Sequence, residues 1–123
     1  MQLTVLVADD DDLVRKMIAS TLEDAGYHVV EARDGQEALA ILEPGETQIA
    51  GLVSDIRMPN VDGLDLAREV ARRWPGTAIV LVSGYPTGGR LAQVPEAAMF
   101  VSKPFKPDEL AHAVRRALSA KGH

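Results

Sequence analysis

The stretch that decides the fold is LTVLVADDDD, residues 3–12, in which a mostly apolar run leads directly into four aspartates. Residues 3–8 are short, rich in valine and leucine, and ended by acid, a pattern that predicts a buried β-strand. Four adjacent carboxylates repel one another, so the run is costly inside a fold unless a cation or a helix start relieves it. The run is the first indication of a functional site, although Asp11 or Asp12 is expected only to cap the following helix.

Outward from this stretch, short apolar strands alternate with segments of helical period to the end of the chain. Four further strands are predicted, over residues 27–31, 49–54, 78–82 and 98–101. The helix after the first strand is predicted to bury one face, made of Leu13, Met17, Ile18, Thr21, Leu22 and Ala25. The last helix is predicted over residues 107–120.

The stretch over residues 85–97 lacks a clear helical pattern. It contains Pro86, Gly88, Gly89 and Pro95, which disfavour a long helix. We therefore predict a short or irregular fourth helix, with one or two turns near residues 90–94.

The strand pattern decides the fold class. Strands that are almost continuously apolar predict a parallel sheet covered by helices on both faces. Right-handed crossovers limit the topology, and the order 2-1-3-4-5 is common for doubly wound sheets of this size. We therefore predict an α/β fold, a doubly wound five-stranded parallel sheet, in one domain spanning residues 1–123.

Composition and charge exclude several classes of protein. With no cysteine, the chain has neither disulfides nor thiol chemistry. Its net charge of −5 argues against direct binding of nucleic acid, which needs a basic face. The amino-terminal stretch has too short an apolar run for a signal peptide, and no stretch approaches the roughly 18 apolar residues of a membrane span. The protein is expected to be cytoplasmic, without a membrane partner.

Polar residues stand where the predicted strands end. Asp9 and Asp10 follow the first strand, Asp55 the third and Ser83 the fourth, and Lys103 comes shortly after the fifth. The carboxyl ends of parallel strands share one edge of the sheet, so three carboxylates are expected to meet there with Mg²⁺ as counter-ion. An aspartate beside Mg²⁺ can attack phosphorus to give an acyl phosphate, while a lysine and a hydroxyl bind phosphoryl oxygens.

Four motifs carry a resemblance to a known family: VLVADD at residues 5–10, SDIRMPNVDG at 54–63, IVLVSGY at 79–85 and FVSKPF at 100–105. With these motifs in this order and spacing, the chain resembles a response-regulator receiver domain, the CheY-like family of two-component signalling. The resemblance covers essentially the whole chain and implies the CheY-like, flavodoxin-like fold.

The resemblance also implies a phosphoacceptor and a metal site. Asp55 matches the phosphoacceptor, because the family's M-P and D-G marks follow it. Asp10, Asp55 and the backbone carbonyl of Arg57 match the ligands of Mg²⁺, and Asp9 matches the residue that acts through bound water.

Four further positions match residues that contact the phosphoryl group, shape the site or respond to phosphorylation. Ser83 and Lys103 match the residues that hold phosphoryl oxygens, and the bond between Lys103 and Pro104 matches a peptide that is typically cis. Ser83 and Phe100 match the switch pair, although a phenylalanine at the end of a strand is often simply a core residue.

The resemblance implies partners as well. The expected phosphodonor is a sensor histidine kinase or a histidine phosphotransfer protein, and the downstream protein target stays unidentified. Phosphorylation would switch the face formed by the fourth helix, the fifth strand and the last helix, through which a homodimer could form. Such a domain is not an enzyme but a phosphoacceptor that promotes its own phosphotransfer and autodephosphorylation.

Three alternatives remain open. Residues 10–14 fit the D-x-D-x-[TV] signature of haloacid-dehalogenase-like phosphatases, with Asp10 as nucleophile, but only one helix follows Lys103 and Asp55 would be idle. A nucleotide- or flavin-binding module would need a glycine-rich loop after the first strand, where the acids stand instead. The domain could also be a receiver excised from a hybrid histidine kinase, although the Met start and the end directly after the last helix favour a stand-alone regulator.

Overall fold

The computed structural model describes residues 2–84, 94–95 and 97–123. Five strands are found, β1 Thr4–Ala8, β2 His28–Ala32, β3 Gly51–Asp55, β4 Ala78–Ser83 and β5 Met99–Ser102. The helices in the described residues are α1 Asp12–Asp24, α2 Gly35–Leu42, α3 Gly63–Arg73 and α4 Pro107–Ala120. Here α4 is the predicted last helix, because the predicted fourth helix near residues 90–94 lies outside the described residues.

The strands form one parallel sheet in the order β2-β1-β3-β4-β5, which confirms the predicted doubly wound topology. Because successive side chains of a strand point to opposite faces, each strand supplies two cores. One core packs the sheet against α2 and α3 through residues such as Leu6, Leu52 and Leu66. The other packs it against α1 and α4 through residues such as Val7, Val53 and Leu110. These side chains are at most 1% exposed, and each contributes about 1.5–3 kcal/mol on burial.

Aspartates start three of the helices. Asp11 accepts hydrogen bonds from the backbone N–H groups of Leu13 and Val14 and so caps α1. Asp34 caps α2 and Asp62 caps α3 in the same way. Such caps satisfy backbone donors that a helix leaves unpaired at its first turn. Within the acidic run, Asp11 therefore has a structural role.

The predicted buried face of α1 is partly wrong. Ile18 and Leu22 are buried as predicted. Leu13 is 81% exposed, Met17 is 48% exposed, and Ala25, which follows the last residue of the helix, is exposed as well. The charged residue Arg15 is buried in their place. Its guanidinium pairs with carboxylates and a carbonyl at the carboxyl edge of the sheet, so the helix turns that side inward.

In the parts of the chain that the structure describes, none of the helices combines the length and the apolar composition that crossing a membrane requires.

Candidate metal and phosphoacceptor site

Three carboxylates converge at the carboxyl edge of the sheet. Asp9 follows β1 and Asp55 ends β3, and the pairing of Ala8 with Ser54 brings the two to the same level. One carboxylate oxygen from each of Asp9, Asp10 and Asp55 lies within 4.8 Å of the other two. The position is the one that ligands favour in such sheets, beside the point where the strand order reverses.

The three carboxylates differ in their access to solvent. Asp9 is fully buried, Asp55 is partly buried and Asp10 is exposed. A reactant arriving from solvent can therefore meet Asp10 and Asp55, whereas Asp9 forms the floor of the site.

Burial raises the pKa of Asp9 to about 6, with the negative charges of Asp55 and Asp10 acting in the same direction. The backbone N–H of Asp11, which donates to Asp9 Oδ1 at 2.9 Å, and the charge of Lys103 lower this pKa in part. The other carboxylate oxygen, Asp9 Oδ2, is buried and has no hydrogen-bond partner among the residues that the structure describes. Such an atom is costly unless a cation binds it.

These donors fit a magnesium ion. Mg²⁺ prefers oxygen ligands, keeps several waters, and is usually bound by one or two carboxylates together with phosphate oxygens. The three clustered carboxylates supply such oxygens, and one of the buried Asp9 oxygens, Oδ2, has no hydrogen-bond partner.

Lys103 supplies the positive charge of the site. Its Nζ donates to Asp55 Oδ2 at 3.2 Å and lies 3.9 Å from Asp9 Oδ2. The backbone N–H of Lys103 donates to the Ser83 carbonyl at 2.9 Å, which continues the pairing of β4 with β5 beyond the end of β5. The peptide bond between Lys103 and Pro104 is cis.

The loop after Asp55 is folded tightly. The backbone N–H of Arg57 donates to Asp55 Oδ1 at 3.3 Å, and the N–H of Gly63 donates to the Ile56 carbonyl at 2.8 Å. A Cβ at Gly63 would lie 2.0 Å from the Asp55 carbonyl oxygen, so only glycine fits at this approach. Asn60 has φ of 67°, a left-handed conformation that asparagine tolerates better than most residues.

The remaining predicted site residues lie on β4 and β5. Ser83 ends β4 and pairs in register with Ser102, next to the strand that carries Asp55. Phe100 lies on the edge strand β5 and is 40% exposed, so it does not belong to the buried core.

The sequence analysis missed Arg15. It is buried, and its Nη1 donates to the Asp9 carbonyl at 3.0 Å. The available signal was the spacing of Arg15 from Asp12, one helical turn apart, together with an acidic residue, Glu31, in the neighbouring predicted strand.

Comparisons with known proteins identify the family of this chain. The family model for the response regulator receiver domain matches residues 5–115. Among curated proteins, the chain is 32% identical over 118 residues to the response regulator receiver protein CpdR of Brucella abortus (strain 2308), covering 94% of this chain and 97% of CpdR. It is also 38% identical over 117 residues to the sensor kinase CckA of the same organism, covering 94% of this chain but 12% of CckA.

Two solved structures are similar throughout. A response regulator receiver protein from Sinorhizobium medicae WSM419 superposes with a TM-score of 0.90 at 31% identity, covering 98% of this chain and 97% of that one. The receiver domain of the hybrid histidine kinase CckA superposes with a TM-score of 0.77 at 35% identity, covering 94% and 98%.

The relatives differ in length. Besides CckA, the transcriptional regulatory protein DctD of Rhizobium meliloti (strain 1021) is 39% identical, and the match covers 93% of this chain but 25% of DctD. The same kind of domain thus occurs in proteins of very different size. The family model, the relatives and the fold agree, and the chain belongs to the response regulator receiver domain family, the phosphoacceptor domain of two-component signalling.

Proposed function

We propose that Asp55 accepts a phosphoryl group in a Mg²⁺-dependent reaction and that its phosphorylation switches the surface around β5 and α4. The observation that carries this proposal is the cluster of Asp9, Asp10 and Asp55 oxygens within 4.8 Å, with the Lys103 ammonium 3.2 Å from Asp55. Such a cluster concentrates negative charge that a cation and a lysine can neutralise, which is what phosphoryl transfer to a carboxylate requires.

Among the three carboxylates, Asp55 is the best nucleophile by position. Asp9 has no exposed surface, and Asp10 is exposed and follows the strand end by two residues. Asp55 is partly accessible, ends a buried strand, and is held by the Arg57 N–H on one oxygen and by Lys103 on the other. A carboxylate fixed in this way is oriented before the reactant arrives.

The transfer itself forms one bond and breaks one. A carboxylate oxygen of Asp55 attacks phosphorus, and the P–N bond of the donor phosphohistidine breaks with its electron pair leaving on the imidazole. Asp10, Asp55 and the Arg57 carbonyl would hold Mg²⁺, with Asp9 acting through water, and the bound ion would neutralise charge on the phosphoryl oxygens.

Residues of this chain then respond to the acyl phosphate. A phosphoryl group adds about 1.5 to 2 negative charges and strong acceptor oxygens. Lys103 transfers its hydrogen bond from Asp55 to a phosphoryl oxygen, and the Ser83 hydroxyl donates to another. Movement of Ser83 leaves space into which Phe100 turns, which changes the surface formed by β5 and α4. The change is a shift between two existing states.

The phosphodonor is a sensor histidine kinase or a histidine phosphotransfer protein, and the target is a protein that recognises the switched surface, a second copy of this chain included. Residues 1–123 form one receiver domain that acts in the cytoplasm as a phosphoacceptor rather than as an enzyme. CpdR is a response regulator receiver protein and CckA a sensor kinase, which supports the donor class but leaves a stand-alone regulator and a hybrid-kinase receiver as alternative settings.

The test is phosphorylation by acetyl phosphate and Mg²⁺, followed by borohydride reduction and peptide mapping. We expect the label on Asp55 in the wild-type protein, no label in Asp55→Asn, and a full label in the control Asp24→Asn, whose aspartate ends α1 and is exposed. EDTA should prevent labelling. A label that persists in Asp55→Asn, or that maps to Asp10 as a dehalogenase-like phosphatase would require, contradicts the proposal.

A further inference from the structure

Arg15 occupies an unusual position for a charged side chain. It is 6% exposed, and no other lysine or arginine in the described parts of the chain is buried. Burying a guanidinium is costly unless its donors are paired. Its hydrogen bonds therefore indicate why the fold keeps it.

The guanidinium of Arg15 joins three elements. Its Nη1 donates to the Asp9 carbonyl at 3.0 Å, immediately after β1. Its Nε donates to Glu31 Oε1 at 3.0 Å on β2, and its Nη2 donates to Asp12 Oδ1 at 2.6 Å in the first turn of α1. The planar fork of arginine presents its donors on three separate nitrogen atoms, whereas the three donors of a lysine share one nitrogen and cannot span these three acceptors in the same way.

The backbone of Asp9 is thereby held on both sides. Its N–H donates to the Ala32 carbonyl at 3.2 Å, and its C=O accepts from Arg15. The peptide unit that carries this carbonyl leads directly into Asp10, so its orientation decides where the two carboxylates lie relative to each other. Without Arg15 the carbonyl loses this hydrogen bond, and one constraint on the orientation of the peptide unit is removed.

We infer that Arg15 is a positioning residue for the metal site, which orients the Asp9–Asp10 backbone without touching the ion. The inference rests on the proposed function, because it assumes that Mg²⁺ binds at the carboxylate cluster. Mg²⁺ demands near-ideal octahedral geometry, so a misplaced pair of carboxylates weakens its binding. Residues that orient metal ligands typically contribute 10- to 100-fold in affinity.

Lys16 provides a matched control for charge. It is the next residue of the same helix, and its Nζ lies 3.7 Å from the same Glu31 Oε1 with a side chain that is 68% exposed. Lys16→Met therefore removes one positive charge near the site while the Arg15–Asp9 hydrogen bond is retained. Ile18→Val is a control for stability, because Ile18 is buried in the same helix and packs in the core.

The experiment measures Mg²⁺ binding to the full chain by calorimetry, without a phosphodonor. We expect Arg15→Met to raise the Kd for Mg²⁺ about 10-fold and Arg15→Lys at least about 5-fold. Lys16→Met and Ile18→Val should stay within about twofold of the wild type. Urea unfolding in EDTA establishes that each variant is folded, and Arg15→Lys, which keeps the charge, carries the test if Arg15→Met does not fold.

The two proposals fail in different ways. Arg15 variants that bind Mg²⁺ as tightly as the wild type overturn this inference alone, and so does an equal loss in Lys16→Met or Ile18→Val. A wild-type protein that binds no Mg²⁺ overturns the inference together with the Mg²⁺-dependent function. If Asp55 is phosphorylated in the presence of Mg²⁺ while the Arg15 variants keep the wild-type Kd for Mg²⁺, the proposed function stands and only this inference fails.

Discussion

At the scale of a single residue, burial of the Asp9 carboxylate in the site destabilises the folded protein. In the folded protein the pKa of Asp9 is raised to about 6 from 3.8, chiefly because the carboxyl is buried. At a pH between these two pKa values, Asp9 holds a proton in the folded protein that it has released in the unfolded chain. The contribution of Asp9 to the free energy of unfolding therefore rises as the pH falls through about 6, and this gain is complete below about 3.8.

We predict that Asp9→Asn stabilises the protein at neutral pH in the absence of Mg²⁺. The rise of this pKa from 3.8 to about 6 corresponds to up to about 3 kcal/mol in the free energy of unfolding at pH 7. The amide carries no charge, so the advantage over the wild type should vanish near pH 4. Urea unfolding of both proteins at pH 7 and pH 4 measures this difference. A difference that is the same at both pH values would mean that the Asp9 charge is not the cause.

The sequence located these carboxylates but could not rank them. The end of a buried strand predicts which aspartates reach the carboxyl edge, and so Asp9, Asp10 and Asp55 were found together. Which of them is buried depends on the packing of neighbouring elements, here the helix α1 and the strand β2. The same reason explains why Arg15 was missed, because the partners of its guanidinium come from three separate elements.

At the scale of elements, the junction of β3 with α3 controls where Asp55 lies. Gly63 starts α3, and a Cβ there would lie 2.0 Å from the Asp55 carbonyl oxygen and 2.7 Å from the Ile56 Cα. Both atoms belong to the backbone, so neither can move without shifting the end of β3. The glycine is needed for space, since it allows the helix to start directly against the strand that carries the phosphoacceptor.

We predict that Gly63→Ala lowers the free energy of unfolding by at least about 2 kcal/mol, the cost of overpacking a rigid contact. Gly76→Ala is the matched control, because a Cβ at Gly76 meets nothing within 4 Å. It should change stability by no more than about 0.5 kcal/mol. Urea unfolding of the two variants makes the comparison, and equal stabilities would show that the β3–α3 junction is looser than the structure indicates.

The elements themselves were largely predictable from periodicity. The strands and the last helix were predicted because their apolar patterns match the two faces of a covered sheet. The predicted ends differ from the observed ends by at most two residues, as for β3. Helix α1 shows the limit of the method. Leu13 and Met17 continue an apolar stripe in the sequence, yet the ion pairs of Arg15 outweigh that stripe and leave both side chains exposed.

At the scale of the whole molecule, the two edges of the sheet are connected to the site differently. The β2 edge is connected to the site by hydrogen bonds from Arg15 to Glu31 and from the Asp9 N–H to the Ala32 carbonyl. Neither of these bonds involves Asp55. The β5 edge is joined through Lys103, whose ammonium binds Asp55 itself. Occupying Asp55 therefore changes the connection at one edge and leaves the other edge as it was.

We predict that a phosphoryl mimic at Asp55 alters amide hydrogen exchange at the β5 edge only. With beryllofluoride and Mg²⁺, exchange should change over Met99–Ser102 and the first turn of α4, because Lys103 exchanges its carboxylate partner for the mimic. The edge strand His28–Ala32 serves as an internal control and should keep its protection.

Asp55→Asn, which cannot bind the mimic, should show no change at either edge. Lys103→Met should bind the mimic with a reduced response in β5, since the connection is gone. If both edges respond equally, or if β5 is unchanged while Asp55 is occupied, the signal does not leave the site through Lys103.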